Sequence, residues 1–276
     1  MPVGKTTRNG YAFTNVVATG EASNQIAIGK TLNNFQLKLG GTSLTKAMLT
    51  MIKMKANGKV IYEGSGTQID TINKYRGMTA NAAYLDIAFE DLVGLDIADR
   101  QVGAFDTSIG IAQLTSEVTI SGATAPTLAG FVYEQAPQRQ ADGSVSPLAG
   151  LIAKTLRYPF AQATGGTLPV NLPFGPVNGA IIKRIHVFHT GNMTGCTVKE
   201  DSVVIHESLK ADNEYEQTRQ GRVPQTNCYT IDFVIDGDMR KALDATKSKS
   251  LELLPTFSAA DSGYVIVEYL DRLGNL

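Results

Sequence analysis

The stretch "MKANGKVIYEG" (Met54–Gly64) returns in altered form as "VKEDSVVIHES" (Val198–Ser208). Four residue types coincide at a constant offset of 144 positions (207 − 63), and they are Lys55 with Lys199, Val60 with Val204, Ile61 with Ile205, and Glu63 with Glu207. Gly77 falls on Gly221 at the same offset. Alternating apolar and polar residues bounded by turn residues indicate a β-strand in each copy. The pair predicts that one β-rich unit occurs twice along the chain.

Two further pairs of segments keep the same order in both halves. They are "LDIAFED" (Leu85–Asp91) with "IDFVIDG" (Ile231–Gly237), after a slip of two residues, and "FVYE" (Phe131–Glu134) with "VIVE" (Val265–Glu268). The slip places Asp86 on Asp232 and Glu90 on Asp236. One match would be weak because strands resemble strands, but matches in one order with nearly constant spacing predict an internal duplication. A repeated fold would keep polar residues on the outer face of both copies.

Most of the chain has strand character, as in "NFQLKL" (Asn34–Leu39) and "IIKRIHVF" (Ile181–Phe188), with Gly, Asn, Pro and Ser between the strands. Helical pattern is scarce. "DMRKALDA" (Asp238–Ala245) predicts a short connecting helix, whereas "SPLAGLIAKTL" (Ser146–Leu156) fits either a helix or the approach to a strand. We therefore predict an all-β fold of two jelly-roll β-sandwich or barrel domains in tandem, a double jelly roll, with short connecting helices.

The least structured stretch of the sequence is "EQAPQRQADGSVSPLAG", Glu134 to Gly150. It is polar, contains Pro137 and Pro147, and has no apolar period, as expected of a linker. We predict an N-terminal jelly roll over residues 1–136, a linker over 137–150, and a C-terminal jelly roll over 151–276. The first domain would begin with a flexible basic arm of about residues 1–10.

The composition argues against several classes of function. Only 18% of the 276 residues are charged and the formal net charge is −1, so the chain lacks the basic footprint of a nucleic-acid-binding protein. The two cysteines, Cys196 and Cys228, have no metal-ligand spacing and indicate buried apolar residues, with a disulfide left open. We find no signal sequence and no apolar run long enough to span a bilayer, which predicts a chain made in a cytoplasm and soluble until assembled.

Three carboxylates lie close together in "CYTIDFVIDGD" (Cys228–Asp238). The period of two predicts a half-buried strand with Asp232 and Asp236 on its polar face, about 13 Å apart. Catalytic carboxylate pairs lie roughly 5 to 9 Å apart, so this pair is expected to be structural. Asp236 and Asp238 flank a turn glycine and are the candidates for a Ca²⁺ site, since turn carboxylates are hard oxygen ligands.

No other pattern in the sequence predicts catalysis. "VGKTT" (Val3–Thr7) resembles the end of a phosphate-binding loop, but the earlier glycine of that motif has no place before it, and a basic arm with Lys5 and Arg8 explains it better. The histidines at 186, 189 and 206 are spaced as packed or solvated residues. There is no nucleophile elbow or zinc-protease motif. We predict no catalytic residues, no cofactor-binding residues, and a structural or binding role.

The C-terminal half carries a more specific resemblance. Its "ADN-Y" (Ala211–Tyr215), "YTIDF--DGD" (Tyr229–Asp238) and closing "VIVEY" (Val265–Tyr269) resemble the major capsid protein of corticoviruses, tailless icosahedral marine phages with an internal membrane. The likeness covers roughly the last hundred residues in the right order. The first half resembles the family in length and pattern, so the full-length match depends on the duplication.

This resemblance implies a function and a set of partners. The expected function is a major capsid protein of the virion, synthesised in the host cytoplasm, whose two upright jelly rolls form a pseudo-hexagonal homotrimer in a shell around a membrane. Expected partners are neighbouring trimers, penton proteins and membrane-associated virion proteins, without direct nucleic-acid contact. The family also implies a response to Ca²⁺. We expect the arm with Lys5 and Arg8 to contact the internal membrane or a membrane protein.

Two other functions fit a double jelly roll. A carbohydrate-binding or hydrolytic module would be expected to present exposed aromatic residues and a signal peptide, but the chain has no tryptophan. A minor capsid protein, such as a penton or spike, commonly contains one barrel, whereas two similar halves favour the hexagonal position. The oligomeric state would distinguish these functions: a monomer would indicate the binding module, a pentamer the penton, and a trimer the capsomer.

Overall fold

The computed structural model describes residues 7–137, 139, 142–144 and 150–275. Two compact units are present. The first takes its residues from Met1–Asn73, Met78–Leu156 and Asp271–Leu276, and the second from Lys74–Gly77 and Arg157–Leu270. The short segment Lys74–Gly77 therefore belongs to the second unit although it lies in the first half of the sequence.

The first unit is a sandwich of two β-sheets. Its strands are β1 (Thr7–Ala12), β2 (Gly20–Ile26), β3 (Thr31–Ser43), β4 (Leu49–Ala56), β5 (Lys59–Gly64), β6 (Tyr84–Ala88), β7 (Phe105–Asp106), β8 (Leu114–Ile120) and β9 (Thr124–Gln135). One sheet has the order β1-β9-β3-β6, with β7 also on β3, and the other has the order β5-β4-β8-β2. Alternate residues of both sheets, such as Phe35 and Ile52, fill a common core. The unit also contains helix α2 (Ile97–Gln101) and most of α1 (Gly66–Tyr75).

The second unit repeats this sandwich. Strand β10 (Leu151–Gln162) begins in the first unit, and the strands that follow are β11 (Gly166–Thr167), β12 (Val170–Asn171), β13 (Ile181–Phe188), β14 (Met193–Glu200), β15 (Val203–Leu209), β16 (Cys228–Asp232), β17 (Leu243–Asp244), β18 (Leu251–Phe257) and β19 (Asp261–Arg272). One sheet has the order β16-β13-β19-β10, with β17 on β13, and the other has β15-β14-β18, with β11 and β12 on β18. The helices are α3 (Gly175–Asn178) and α4 (Lys210–Arg219).

The two units match strand for strand, which confirms the internal duplication and the double jelly roll. The bounds of β4 and β14, of α1 and α4, and of β6 and β16 coincide at the offset of 144. The bounds of β8 and β18, and those of β9 and β19, coincide at an offset of 137 positions (251 − 114). In both sheets a β-bulge interrupts the pairing at the same place, between Leu32 and Asn34 in β3 and between Ile182 and Arg184 in β13.

The same local contacts place the same elements in both units. The two-residue turns Asn57-Gly58 and Asp201-Ser202 have positive φ angles at both positions, the conformation that joins antiparallel strands in a tight hairpin. Each helix holds the edge strand beside it. The side-chain amide of Asn73 in α1 donates to the Asp86 carbonyl at 2.8 Å, and that of Gln217 in α4 donates to the Thr230 carbonyl at 2.8 Å.

The structure corrects two details of the predicted duplication. The match of "FVYE" with "VIVE" places Glu134 on Glu268, but the strand register gives Tyr133 the position of Glu268, since Asn34 pairs with Tyr133 and Arg184 with Glu268. Because β6 and β16 align at 144 without a slip, Asp86 corresponds to Thr230 and not to Asp232. The predicted strand across Asp232 to Asp236 is also wrong in extent. Strand β16 ends at Asp232, and residues 233–236 form a turn. The alternation of the sequence continues past the strand because Phe233 and Ile235, which belong to the turn, are also apolar.

Three other local predictions have mixed outcomes. The helix expected at 238–245 is a single 3-10 turn, Met239–Lys241, followed by β17. The described part of the ambiguous segment 146–156 lies in β10. The flexible arm of residues 1–10 is wrong from Thr7 onward, because Thr7–Ala12 pair with β9. Lys5 lies outside the described residues.

The predicted domain boundary stays a prediction. The chain passes from the first compact unit to the second between Leu156 and Arg157, inside β10, whereas the sequence places the division in a linker at 137–150. Residues 138, 140, 141 and 145–149 of that linker lie outside the described part of the chain.

Candidate assembly surface

The hairpin β14–β15 and the helix α4 that follows it form an exposed edge of the second unit. Strand β15 pairs with β14 on one side, and no described strand covers its other side. A free strand edge presents unpaired backbone N–H and C=O groups and is a natural place for another chain to bind. The counterpart of this edge in the first unit is the outer edge of β5.

Large apolar side chains on this edge are exposed to solvent. The exposed fractions are 63% for Val203, 46% for Val204, 38% for Ile205, 64% for Leu209 and 70% for Tyr215. We call these five residues the β15–α4 surface. A β-bulge between Val198 and Lys199 leaves Ile205 without a pairing partner on β14. Clustered apolar exposure of this kind indicates a protein–protein contact more often than an ordinary surface.

The equivalent strand of the first unit is covered. Val60 and Ile61 of β5 correspond to Val204 and Ile205, yet Ile61 is fully buried. The outer edge of β5 receives β10, with Thr155 pairing in parallel with Tyr62. Val60 and Ile61 therefore lie on a covered copy of this edge, and Val204 and Ile205 lie on an uncovered copy. Among the described residues no strand covers the outer edge of β15, and its aliphatic side chains are exposed.

A second feature of this unit is a buried cluster of charges centred on Arg184. The Arg184 side chain is fully buried and its Nε lies 3.0 Å from Oδ2 of Asp232, while its Nη1 lies 3.2 Å from Oε2 of Glu268. The carboxylates belong to β16 and β19, the two neighbours of β13. The three residues thus tie three adjacent strands together.

The segment Lys74–Gly77 completes the cluster. Arg76 donates to Oε2 of Glu268 at 2.6 Å, and the Tyr75 hydroxyl donates to Oδ2 of Asp232 at 3.0 Å. Although burial would raise the pKa of Glu268, the charges of Arg76 and Arg184 hold it well below its usual range. Burial, followed by the charge of Asp232, raises the pKa of Tyr75 far above that of free tyrosine. Glu268 is therefore ionised and Tyr75 neutral at physiological pH.

His186 lies inside the same cluster. Its Nε2 is 2.8 Å from Oε1 of Glu268 and its Nδ1 is 2.9 Å from the Thr230 hydroxyl. The carboxylate can only accept, so Nε2 carries a proton and donates to Glu268. Both ring nitrogens of His186 have a protein partner, and its side chain is fully buried. The arrangement stabilises the sheet and offers no open position for a substrate.

The other predicted site residues are located as follows. The prediction that Asp232 faces outward is wrong, since Arg184 holds it in the interior. Asp236 pairs with Lys241, and Asp238 accepts from the Arg240 backbone at 3.0 Å and caps the 3-10 turn. Within the described residues, no group of three His, Cys, Asp or Glu side chains is placed to hold a metal ion. The assignment of Ca²⁺ to Asp236 and Asp238 stays a prediction.

The remaining histidines and the cysteines have local partners. His189 is buried, which lowers its pKa to about 4, and its Nδ1 accepts from the Gly191 backbone at 3.0 Å. His206 lies 3.2 Å from the Tyr229 hydroxyl. Cys196 and Cys228 are free, buried thiols, which answers the open question of a disulfide. The histidines pack against local partners and the cysteines are buried, as their spacing predicted.

Sequence reasoning missed the buried cluster. A signal was present, because "IIKRIHVF" (Ile181–Phe188) and "VIVEY" (Val265–Tyr269) each place a charged residue within a run of large apolar ones. Such a charge must be paired when it is buried. What no pattern could supply is the partner from far away in the chain, such as Arg76, which is 192 residues from Glu268.

Two family models match the sequence. The N-terminal domain of viral coat protein P2 matches residues 7–134, and the C-terminal domain of the same protein matches residues 152–273. Together they cover most of the chain, one on each copy of the duplicated sandwich. No curated protein sequence matches the chain significantly.

Solved structures share the fold over nearly the full length. The major capsid protein P2 from bacteriophage PM2 has a TM-score of 0.82 at 20% identity, with 96% of this chain and 98% of that chain covered. The major capsid protein of Sulfolobus turreted icosahedral virus has a TM-score of 0.72 at 14% identity, with 98% and 97% covered. The PBCV-1 virus capsid has a TM-score of 0.61 at 11% identity, with 98% and 94% covered.

The described residues contain no helix that combines the length and the apolar character needed to cross a lipid bilayer. The resemblance seen in the C-terminal half of the sequence extends to both halves, because each is matched by its own domain of the same coat protein. The chain therefore belongs to the viral coat protein P2 family and is a major capsid protein, a component of the virion shell.

Proposed function

We propose that three copies of this chain form a pseudo-hexagonal capsomer, and that these capsomers tile an icosahedral shell around an internal membrane. The observation that carries the proposal is the β15–α4 surface: apolar residues are exposed in one copy of a duplicated edge and covered in the other. An assembly that covers β15 as β10 covers β5 would remove the difference.

A chain with a duplicated sandwich is well suited to form a pseudo-hexagonal capsomer. Three copies of a chain with two similar sandwiches offer six similar edges, which can meet neighbours in nearly equivalent ways in a hexagonal array. A single sandwich would need six copies for the same outline. The role proposed is structural, without catalysis, since Arg184, Asp232 and Glu268 of the second unit are buried and paired with one another.

The oligomeric state tests this proposal directly. Size-exclusion chromatography with light scattering should give three times the 29.5 kDa chain mass, stable on dilution. A monomer would favour an isolated binding module and a pentamer would favour a penton. Either result would contradict the capsomer.

We also propose that neighbouring trimers, penton proteins and membrane-associated virion proteins are the partners of the assembled chain. The formal net charge of −1 supports the absence of direct nucleic-acid contact, because such contact depends on phosphate neutralisation by a basic surface. In purified particles this chain should be the most abundant protein on a denaturing gel. A trace band would contradict its place as the main shell protein.

We propose that residues 1–6, which include Lys5, make the membrane contact, since the residues from Thr7 onward belong to β1. Arg8 belongs to β1, where its guanidinium lies 3.5 Å from the centre of the Phe131 ring and donates to the Tyr133 hydroxyl at 2.9 Å. Deletion of residues 1–6 leaves β1 intact and should reduce the yield of membrane-containing particles, whereas Arg8→Ala should not. Normal particles from the deletion would refute this contact.

A further inference from the structure

The first unit also has a free strand edge. Strand β1 pairs with β9 along its whole length, and no described strand lies on its other side. Residues Thr7, Arg8, Gly10 and Ala12 are exposed. One chain therefore offers two open edges of different sequence, β1 in the first unit and β15 in the second.

The chain already contains one contact between strands of these two kinds. Strand β10 is the counterpart of β1, because β10 lies beside β19 just as β1 lies beside β9. Strand β5 is the counterpart of β15 at the offset of 144. Within the first unit, β10 runs parallel to β5 with Thr155 opposite Tyr62. A β1-type strand therefore fits the outer edge of a β5-type strand in this fold.

We propose that β1 of one copy lies parallel to the outer edge of β15 of the next copy in the trimer, and that this contact covers Val203, Val204 and Leu209. The inference rests on the trimer proposed above. It specifies which two surfaces meet, in which orientation, and that the partner is a second copy of this chain.

Three properties of the two edges favour a second copy over another protein. The contact is heterologous, so each copy uses both β1 and β15, and three copies can close a ring in which neither of these two edges is left free. The exposed Val204 and Ile205 of β15 correspond to Val60 and Ile61 of β5, which are half-buried and fully buried, respectively. Strand addition at an edge also satisfies the backbone groups that both strands leave open.

Cysteine cross-linking can test the contact and its orientation. A parallel arrangement brings the first residues of both strands together and the last residues together, so the pairs Thr7→Cys with Val203→Cys, and Ala12→Cys with Leu209→Cys, should react. The opposite pairs, Thr7→Cys with Leu209→Cys and Ala12→Cys with Val203→Cys, are matched controls, separated by the length of β1, about 20 Å. All four positions are exposed, so folding should be preserved.

The two native cysteines should not react with the cross-linker in this experiment. Burial raises the pKa of Cys196 to about 12 and that of Cys228 to about 12, and a protonated buried thiol reacts poorly with maleimides. A bismaleimide much shorter than 20 Å should give cross-linked dimers and trimers on a denaturing gel from the parallel pairs. We expect at least a fivefold excess over the opposite pairs.

A charge substitution supplies a second readout. Val204→Glu places a carboxylate in the proposed contact and should convert the trimer to monomers, because an unpaired charge is costly to bury. Val177→Glu makes the same change at a residue of α3 that is 81% exposed and should leave the trimer intact. Because both residues are exposed, neither change should unfold the chain.

The outcomes separate this inference from the proposed function. A wild-type trimer in which the parallel pairs do not react, react only within one chain, or react no better than the opposite pairs would overturn the β1–β15 contact and leave the capsomer standing. Cross-links from β15 to a different virion protein would also overturn it. A wild-type chain that is not trimeric would overturn both.

Discussion

The two units build the same sheet face with different chemistry. The bulge and the strand register align the central residues, and the equivalent trios are Asn34, Ala88 and Tyr133 in the first unit and Arg184, Asp232 and Glu268 in the second. In the first unit, Asn34 and Gln36 donate to Oδ1 of Asp86 at 2.8 and 2.9 Å, and these side chains are half-buried. In the second unit the face is buried and ionic.

The difference shows what duplication conserves. Topology, turns and the amide contact of each helix are the same in both copies, whereas the residues on the sheet face follow their surroundings. Where water reaches the face, amide hydrogen bonds to the carboxylate of Asp86 suffice, without a cation beside it. Where Tyr75, Arg76 and Arg222 cover it, each charge needs a fixed partner, because an unpaired buried charge costs several kcal/mol.

The largest expected effect is at the central residue of this face. Arg184→Met leaves Asp232 and Glu268 buried with one cation fewer, so we expect a loss of about 3–5 kcal/mol of unfolding free energy. Asn34→Leu, the matched change in the first unit, should cost only about 1–2 kcal/mol, because it removes one amide hydrogen bond to the half-exposed Asp86 carboxylate, which keeps its bond from Gln36. Chemical denaturation measures both. Equal losses would show that the two faces are energetically alike.

The next effect compares the two edge strands. Ile61→Ala should cost about 2–4 kcal/mol through the cavity it leaves, whereas Ile205→Ala should change the stability of the dilute, dissociated chain by no more than about 0.5 kcal/mol. Thermal denaturation at low and high protein concentration checks this. The cost of Ile205→Ala should rise only where the chain assembles, and a large cost in the monomer would contradict the exposure of β15.

Acid should weaken the second unit through Glu268. Its pKa is depressed in the folded chain from an ordinary value of 4.5, so its stabilising contribution is complete above that value and is lost as the pH falls through the folded-state pKa. We expect unfolding free energy to decline below about pH 4.5. Glu268→Gln should lower stability at neutral pH and flatten this decline. An unchanged slope would mean that other carboxylates govern acid unfolding.

The smallest expected effect concerns the paired hairpin turns. Ser202 has a φ of 69°, while its counterpart Gly58 has a φ of 81°, and a side chain at such angles is strained. Ser202→Gly should stabilise the chain by about 0.5–1 kcal/mol, and Gly58→Ser should destabilise it by a similar amount. Differential scanning calorimetry can resolve both shifts. Destabilisation by Ser202→Gly would show that its hydroxyl has a compensating role.

Sequence patterns predicted the repeated elements well and their surroundings poorly. The matches of Lys55, Val60, Ile61 and Glu63 located equivalent strands because hairpins are encoded by neighbouring residues. The prediction for Asp232 was wrong because sequence alternation shows which residues lie on the same face of a strand. It does not show which other parts of the chain cover that face. Similarly, identical residue types at Ile61 and Ile205 gave no sign that one edge is covered and the other open.

By itself, the sequence determined the double jelly roll, the duplication and the family resemblance, since apolar period, turn residues and short motifs are local properties of the chain. Only the tertiary structure decided that Tyr75 and Arg76 complete a charge cluster in the second unit, and that none of the described strands covers the outer edges of β1 and β15. Those features depend on contacts between residues that are distant in sequence. Ion pairing and edge coverage are set by what the folded chain brings together.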